Sequence, residues 1–194
     1  MIEEVLKSFI TLFVIMDPVG NIPILLGLVK GMPTSVIKRQ INNAFVVASV
    51  ILALFLFFGI KILDLFGIDL TSFRIAGGMI LLLLGIFYVL DIENKHRKES
   101  SADLSVPIGT PLLVGPGTIT TTIILVESYG LWTTLIAAVF ALAAGFIVFN
   151  YAAKFYKILG RHWTGVISRV MGIILAAIAV EFIRVGVIDI LRSV

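Results

Sequence analysis

Met16-Asp17-Pro18-Val19-Gly20-Asn21-Ile22-Pro23 sits inside an apolar run, about Val5 to Val29, with Lys7 at its start and Asp17 as the charge near its middle. At about 1.5 Å per residue the octet lies roughly 11 to 18 residues into that run, near the middle of a bilayer. No ordinary helix is written this way. Proline removes a backbone donor and clashes with the preceding turn, glycine adds backbone freedom, and Pro18 and Pro23 stand close enough to compound both effects. The reading predicts a helix broken at membrane depth into two half-helices. Such a break is tolerated only where the freed backbone groups meet protein or a water-filled cavity.

The rest of the chain also requires lipid as its solvent. Of 194 residues 59% are hydrophobic and only 14% charged, with a mean hydropathy of +1.12, more apolar surface than a soluble core of this size hides. Gln40 to Ile60, Leu104 to Val126 and Ser128 to Ala153 carry no formal charge, and Ile75 to Leu90 adds a further charge-free run of Leu, Ile and Gly. Bilayer thickness requires about 20 such residues per helix. The pattern therefore predicts an all-α membrane protein with six transmembrane helices, the last from about Val166 to Leu191 with Glu181 and Arg184 in its interior. Asp91 to Asp103 (DIENKHRKESSAD) is the long polar stretch and is read as a surface loop. The N-terminus has acidic residues before its apolar run and no small-residue cleavage site, so it reads as the first helix and not as a signal peptide.

Several classes are excluded. The net charge is +3, but Lys and Arg cluster at the ends of apolar runs, which is a pattern for membrane orientation and not for nucleic acid. There is no cysteine, and His96 and His162 both lie in basic segments, so neither a metal site nor a cofactor is expected. The loops after helices 1, 3 and 5 hold Lys30, Lys38, Arg39, Lys95, Arg97, Lys98, Lys154, Lys157, Arg161 and Arg169, two thirds of the total. By the positive-inside rule those loops face the cytoplasm and both termini face outward across the plasma (cell inner) membrane.

The two halves of the sequence resemble each other. Arg74-Ile-Ala-Gly77-Gly78-Met-Ile-Leu aligns with Arg169-Val-Met-Gly172-Ile-Ile-Leu, Leu65-Phe-Gly67 with Ile158-Leu-Gly160, and Pro18-Val-Gly20-Asn21 with Pro116-Gly117-Thr118, at offsets that nearly agree. The division is residues 1–90, the connecting loop 91–103, and residues 104–194. Each unit has three helices, so the second enters the membrane from the opposite face, as in secondary transporters built from inverted repeats.

The second unit carries its own break. Pro107, Gly109, Pro111, Gly115, Pro116 and Gly117 precede Thr118, Thr120, Thr121 and Thr122 in helix 4. Helices 1 and 4 are thus both expected to be discontinuous, with a polar cavity between them. One reading is that Pro and Gly merely kink the helices and let them pack closely. In the functional reading, half-helices starting near Gly20 and Gly117 aim unpaired N–H groups and positive dipole ends into that space, which suits a carboxylate. Asn21 and Thr118 supplement it, and Asp17 suits an ammonium group or a coupling cation such as H⁺ or Na⁺. A carboxylate at bilayer centre costs roughly 2.5–3.5 kcal/mol, so Asp17 serves either a ligand or as the cap of the half-helix after Pro18. Glu181 and Arg184, at i and i+3, either neutralise each other or couple a proton. Asn42, Asn43 and Asn150 read as hydrogen bonds between helices, and Gly77, Gly78 and Gly172 as close-packing positions. No nucleophile–base set, phosphate loop or paired carboxylates appear, so no enzyme and no catalytic residue is expected.

DPVGNIPI, FRIAGGMILLLLG, PLLVGPGTIT and RVMGIILAAIAV together resemble the MarC family of bacterial and archaeal membrane proteins, over nearly the whole chain. The resemblance implies six helices and transport of small neutral amino acids. Carried over by position it implies substrate contacts at Asp17, Gly20, Asn21, Gly117, Thr118 and Thr120. Glu181 departs from it, since the family pattern more often reads Gln after AIAV. The reading is therefore a secondary transporter of small zwitterions such as glycine or alanine, working by alternating access between helices 1 and 4 on an ion gradient or by exchange. The rival reading is a passive channel or a structural membrane subunit.

Overall fold

The computed structural model describes residues 2–22, 25–26, 29, 32–90 and 113–193. Pro23, Lys30, the polar stretch Asp91 to Asp103 and the residues Pro107, Gly109 and Pro111 lie outside the described residues. Among the described residues the chain forms six helices and no strand: α1 (Ile2–Met16), α2 (Thr34–Leu65), α3 (Leu70–Leu90), α4 (Pro116–Tyr129), α5 (Leu131–Asn150) and α6 (Ala152–Ser193). Thr34–Leu65, Leu70–Leu90, Leu131–Asn150 and Gly165–Arg192 are each long and apolar enough to cross a membrane. At 15 and 14 residues, α1 and α4 reach only about 20 Å, short of a hydrocarbon core of about 30 Å. These are the two elements beside the expected breaks.

Local sequence explains most boundaries. Pro33, in extended backbone, precedes α2. Its end is a Schellman turn, in which Gly67 takes a left-handed φ of 64°, its N–H bonds to the Asp64 carbonyl at 3.0 Å, and the Ile68 N–H bonds to the Leu63 carbonyl at 2.9 Å. Asp69 then caps α3, its Oδ2 accepting the Thr71 and Ser72 N–H groups at 3.0 and 3.3 Å. A second boundary differs from the sequence reading. In place of a basic loop between about Ala153 and Val166, α6 starts at Ala152, separated from α5 by Tyr151 alone, and runs for 42 residues. Residues 153–165 contain no proline and several strong helix formers, and the isolated Gly160 and Gly165 do not stop a helix.

Helix α3 packs along α6 over most of its length, and α1 packs on α5. The α3–α6 pair runs antiparallel. Gly78 lies between Ala179 and Ile183, Gly85 against Gly172 and Ala176, and Gly186 against Ile75. At the crossing the helices touch backbone to backbone, since a β-carbon on Gly85 would stand 2.7 Å from the Gly172 carbonyl oxygen and one on Gly172 would stand 2.8 Å from that of Gly85. Helices α1 and α4 also touch, with Ile15 lying against Gly117. Inside, Leu12, Met16, Ala44, Ala48, Ala137 and Ala141 form the centre of the main core. Outside, Phe57, Phe58, Trp132, Phe140 and many aliphatic side chains are exposed, a surface suited to lipid and not to water.

Candidate functional site

The break after α1 is built by five residues. Met16 ends the helix, and the Asp17 N–H still bonds back to the carbonyls of Phe13 and Val14 at 3.1 and 3.2 Å. Asp17 then turns to a left-handed φ of 38°, which aspartate tolerates better than most residues. From there Oδ1 of its carboxylate accepts the Gly20 N–H at 3.0 Å, so Asp17 caps the turn that follows. Pro18 occupies the first position of that turn, where its missing donor costs nothing. A β-carbon on Gly20 would run into the same carboxylate. Asn21 closes the break from the other side, its Nδ2 donating to the Met16 carbonyl at 3.1 Å.

The break before α4 is closed in the same way. Gly115 is extended, Pro116 opens the helix, and Oγ1 of Thr118 donates to the Leu113 carbonyl at 3.2 Å. Asn21 to Met16 and Thr118 to Leu113 are the same hydrogen bond, reaching five residues back across a Pro/Gly step, at one offset of 97 residues. Position 114, equivalent to Asp17, is Val114. The first break therefore holds a carboxylate, and the second holds hydroxyls. Thr122 Oγ1 donates to the Thr118 carbonyl at 2.7 Å, while the buried Thr121 hydroxyl has no hydrogen-bond partner among the described residues.

All six expected contact positions lie along these two breaks. Asp17 is 2% exposed, and Asn21, Thr118 and Thr120 are equally buried. The space before Gly117 is occupied by apolar groups: a β-carbon there would stand 2.5 Å from Leu81 Cδ2 and 3.6 Å from Ile15 Cγ2. Thr120 packs directly on Gly77 of α3. Pro18 faces Gly145 of α5. Among the described residues, Leu81, Ile15 and Gly145 thus stand against the two breaks beside which a polar cavity is expected. A groove of about 460 Å³ lies between α1 and α5, lined by apolar residues including Val5, Phe9, Phe140 and Ile147.

Other expected positions fall elsewhere. Glu181 and Arg184 form an ion pair on the outer face of α6, with Nε and an η nitrogen of Arg184 donating to the carboxylate at 2.8 and 2.6 Å. Asn42 and Asn43 are exposed, and Asn150 donates to Phe146 in its own helix at 2.9 Å. Gly77, Gly78 and Gly172 serve close helix packing. One cluster escaped sequence reasoning. Arg74, only 11% exposed, bonds to Glu127 of α4 at 3.1 Å and to Asp189 of α6 at 3.4 Å, tying three helices together at one end of the bundle. The available signal was an arginine at the edge of a charge-free run, but its two acidic partners are distant in sequence.

Residues 2–191 match the family described as MarC family integral membrane protein. Membrane protein YvbG of Bacillus subtilis is 37% identical, covering 96% of this chain and 95% of its own length. A membrane protein of Archaeoglobus fulgidus is 34% identical over 96% of this chain and 93% of its own, and membrane protein YhcE of Escherichia coli is 33% identical over 93% and 90%. No solved structure matches the chain.

Proposed function

Since the chain belongs to the MarC family of integral membrane proteins, and since its two short helices end and begin in breaks closed by one shared hydrogen bond, we propose that it is a secondary transporter of small neutral amino acids. The paired breaks are the observation that carries this reading. A protein that needed only kinked helices has no use for two equivalent breaks at membrane depth meeting along one seam. Six spans arranged as two inverted three-helix units accommodate them, and the antiparallel contact of α3 with α6 supports that arrangement.

In this reading the substrate carboxylate sits at the start of α4, held by the N–H groups after Pro116 and by Thr118 and Thr120. The ammonium group, or a coupling H⁺ or Na⁺, is held at Asp17, with Gly20 and Asn21 shaping the approach. Leu81 and Ile15 cover Gly117, so loading requires α3 or α1 to draw back. Alternating access is then movement of one unit against the other about this seam. The basic segments, the start of α6 among them, lie on the cytoplasmic side of the inner membrane, with both termini outside.

Uptake of glycine or alanine into proteoliposomes, with and without an imposed proton or sodium gradient, tests the proposal. Accumulation above equilibrium driven by one gradient is expected. Flux that only follows the substrate's own gradient and never saturates would instead identify a passive pore. A cysteine introduced at Ser100 tests the orientation, and ready labelling by an impermeant reagent from outside would reverse it.

A further inference from the structure

Glu181 and Arg184 are the wrong residues for the surface they occupy. Gly78 of α3 lies between Ala179 and Ile183 of α6, so Glu181 stands at the level of Gly78. That is about 12 Å inside the Leu70 end of a span some 30 Å long. The pair does not point into the bundle. Its side chains are 54% and 58% exposed, among the exposed Ile173, Ala177, Val180 and Val187. Against lipid alone, an ionised pair at this depth loses the hydration of both partners, and intramembrane charges are ordinarily turned inward or paired across helices.

We propose that this face of α6 is an interface with a second copy of the same chain. The pair is self-complementary: each copy offers one carboxylate and one guanidinium a helical turn apart, so two copies related by a two-fold axis form a four-charge network that lipid does not reach. Arg184 uses two of its five N–H donors on its own Glu181, which leaves donors for the partner's carboxylate. The flanking residues have the spacing of a helix seam. Ile173, Ala177, Val180, Arg184, Val187 and Leu191 recur at alternating intervals of four and three, all exposed, the heptad pattern by which one helix seats against an identical one. A single polar residue in such a stripe fixes register and copy number, and Arg184 holds that place. Small and β-branched neighbours permit the close approach that drives helix association in lipid.

The absence of native cysteine makes the test direct. In membranes, Val180→Cys is expected to cross-link to a dimer on oxidation, and Val50→Cys, equally exposed on α2, is not. Glu181→Arg and Arg184→Glu, each expressed alone, place four like charges at the interface and should reduce the dimer fraction roughly tenfold or more. Co-expressed with different tags, the two variants should recover association as a mixed dimer. The proposal is overturned if the unmodified protein is monomeric in lipid nanodiscs, if Val180→Cys yields no dimer, or if both charge variants associate as the unmodified chain does. The cysteine arm stands alone should a charge variant fail to insert.

Discussion

The two helix breaks share a closing hydrogen bond and differ in what they hold. At the first, Asp17 supplies a carboxylate that caps the next turn. At the second, the equivalent position is Val114, and the polar groups are threonine hydroxyls one turn further on. Backbone satisfaction thus explains Asn21 and Thr118, one in each break, but it does not explain why one break alone carries a charge. Two breaks with one closure and different chemistry fit the substrate proposed above, which has an amine at one end and a carboxylate at the other.

Asp17→Asn is the substitution with the largest expected effect. Asparagine still accepts the Gly20 N–H, so insertion and folding should persist while transport falls to a small fraction of normal. Near-normal uptake in proteoliposomes would reduce Asp17 to a cap and make the two breaks alike. Gly117→Val probes the other side. Its β-carbon meets Leu81 and its branches fill the approach to the first N–H groups of α4, so glycine binding to the solubilised protein should be lost, and unchanged affinity would move the carboxylate site elsewhere.

A smaller effect measures how alike the closures are. Asn21→Leu and Thr118→Val each strand a buried carbonyl, at a cost of about 1–3 kcal/mol. Thermal unfolding in detergent should show both lowered by similar amounts, and a large difference would mean that the shared hydrogen bond has unequal weight in the two halves. Thr122→Val is expected to be mildest, because Thr122 bonds only to the Thr118 carbonyl within its own helix. A loss of uptake as deep as that of Gly117→Val would place Thr122 in the site.

How much of this was legible in the sequence depends on the distance over which each feature is decided. Pro18 and Gly20 break α1 through their own covalent structure, so the position of the break could be read directly, as could the charge-free cores of α2, α3 and α5. The alignment of Asn21 with Thr118 was visible, but that both side chains reach five residues back was not, because that depends on the turn geometry. Residues 154–165 misled, since a basic stretch reads as a loop although lysine and leucine propagate a helix once no proline stops it. Packing across helices was out of reach: nothing local says that Leu81 covers Gly117 or that Arg74 finds Glu127 and Asp189.

The unbroken length of α6 has a mechanical meaning. From its backbone contact with Gly85 at Gly172 to its start at Ala152 the helix extends about 30 Å. Were α6 to tilt by about 10° about that contact, Lys154 and Lys157 would move through roughly 4–5 Å. Motions too small to register between packed glycines become displacements large enough for another molecule to feel.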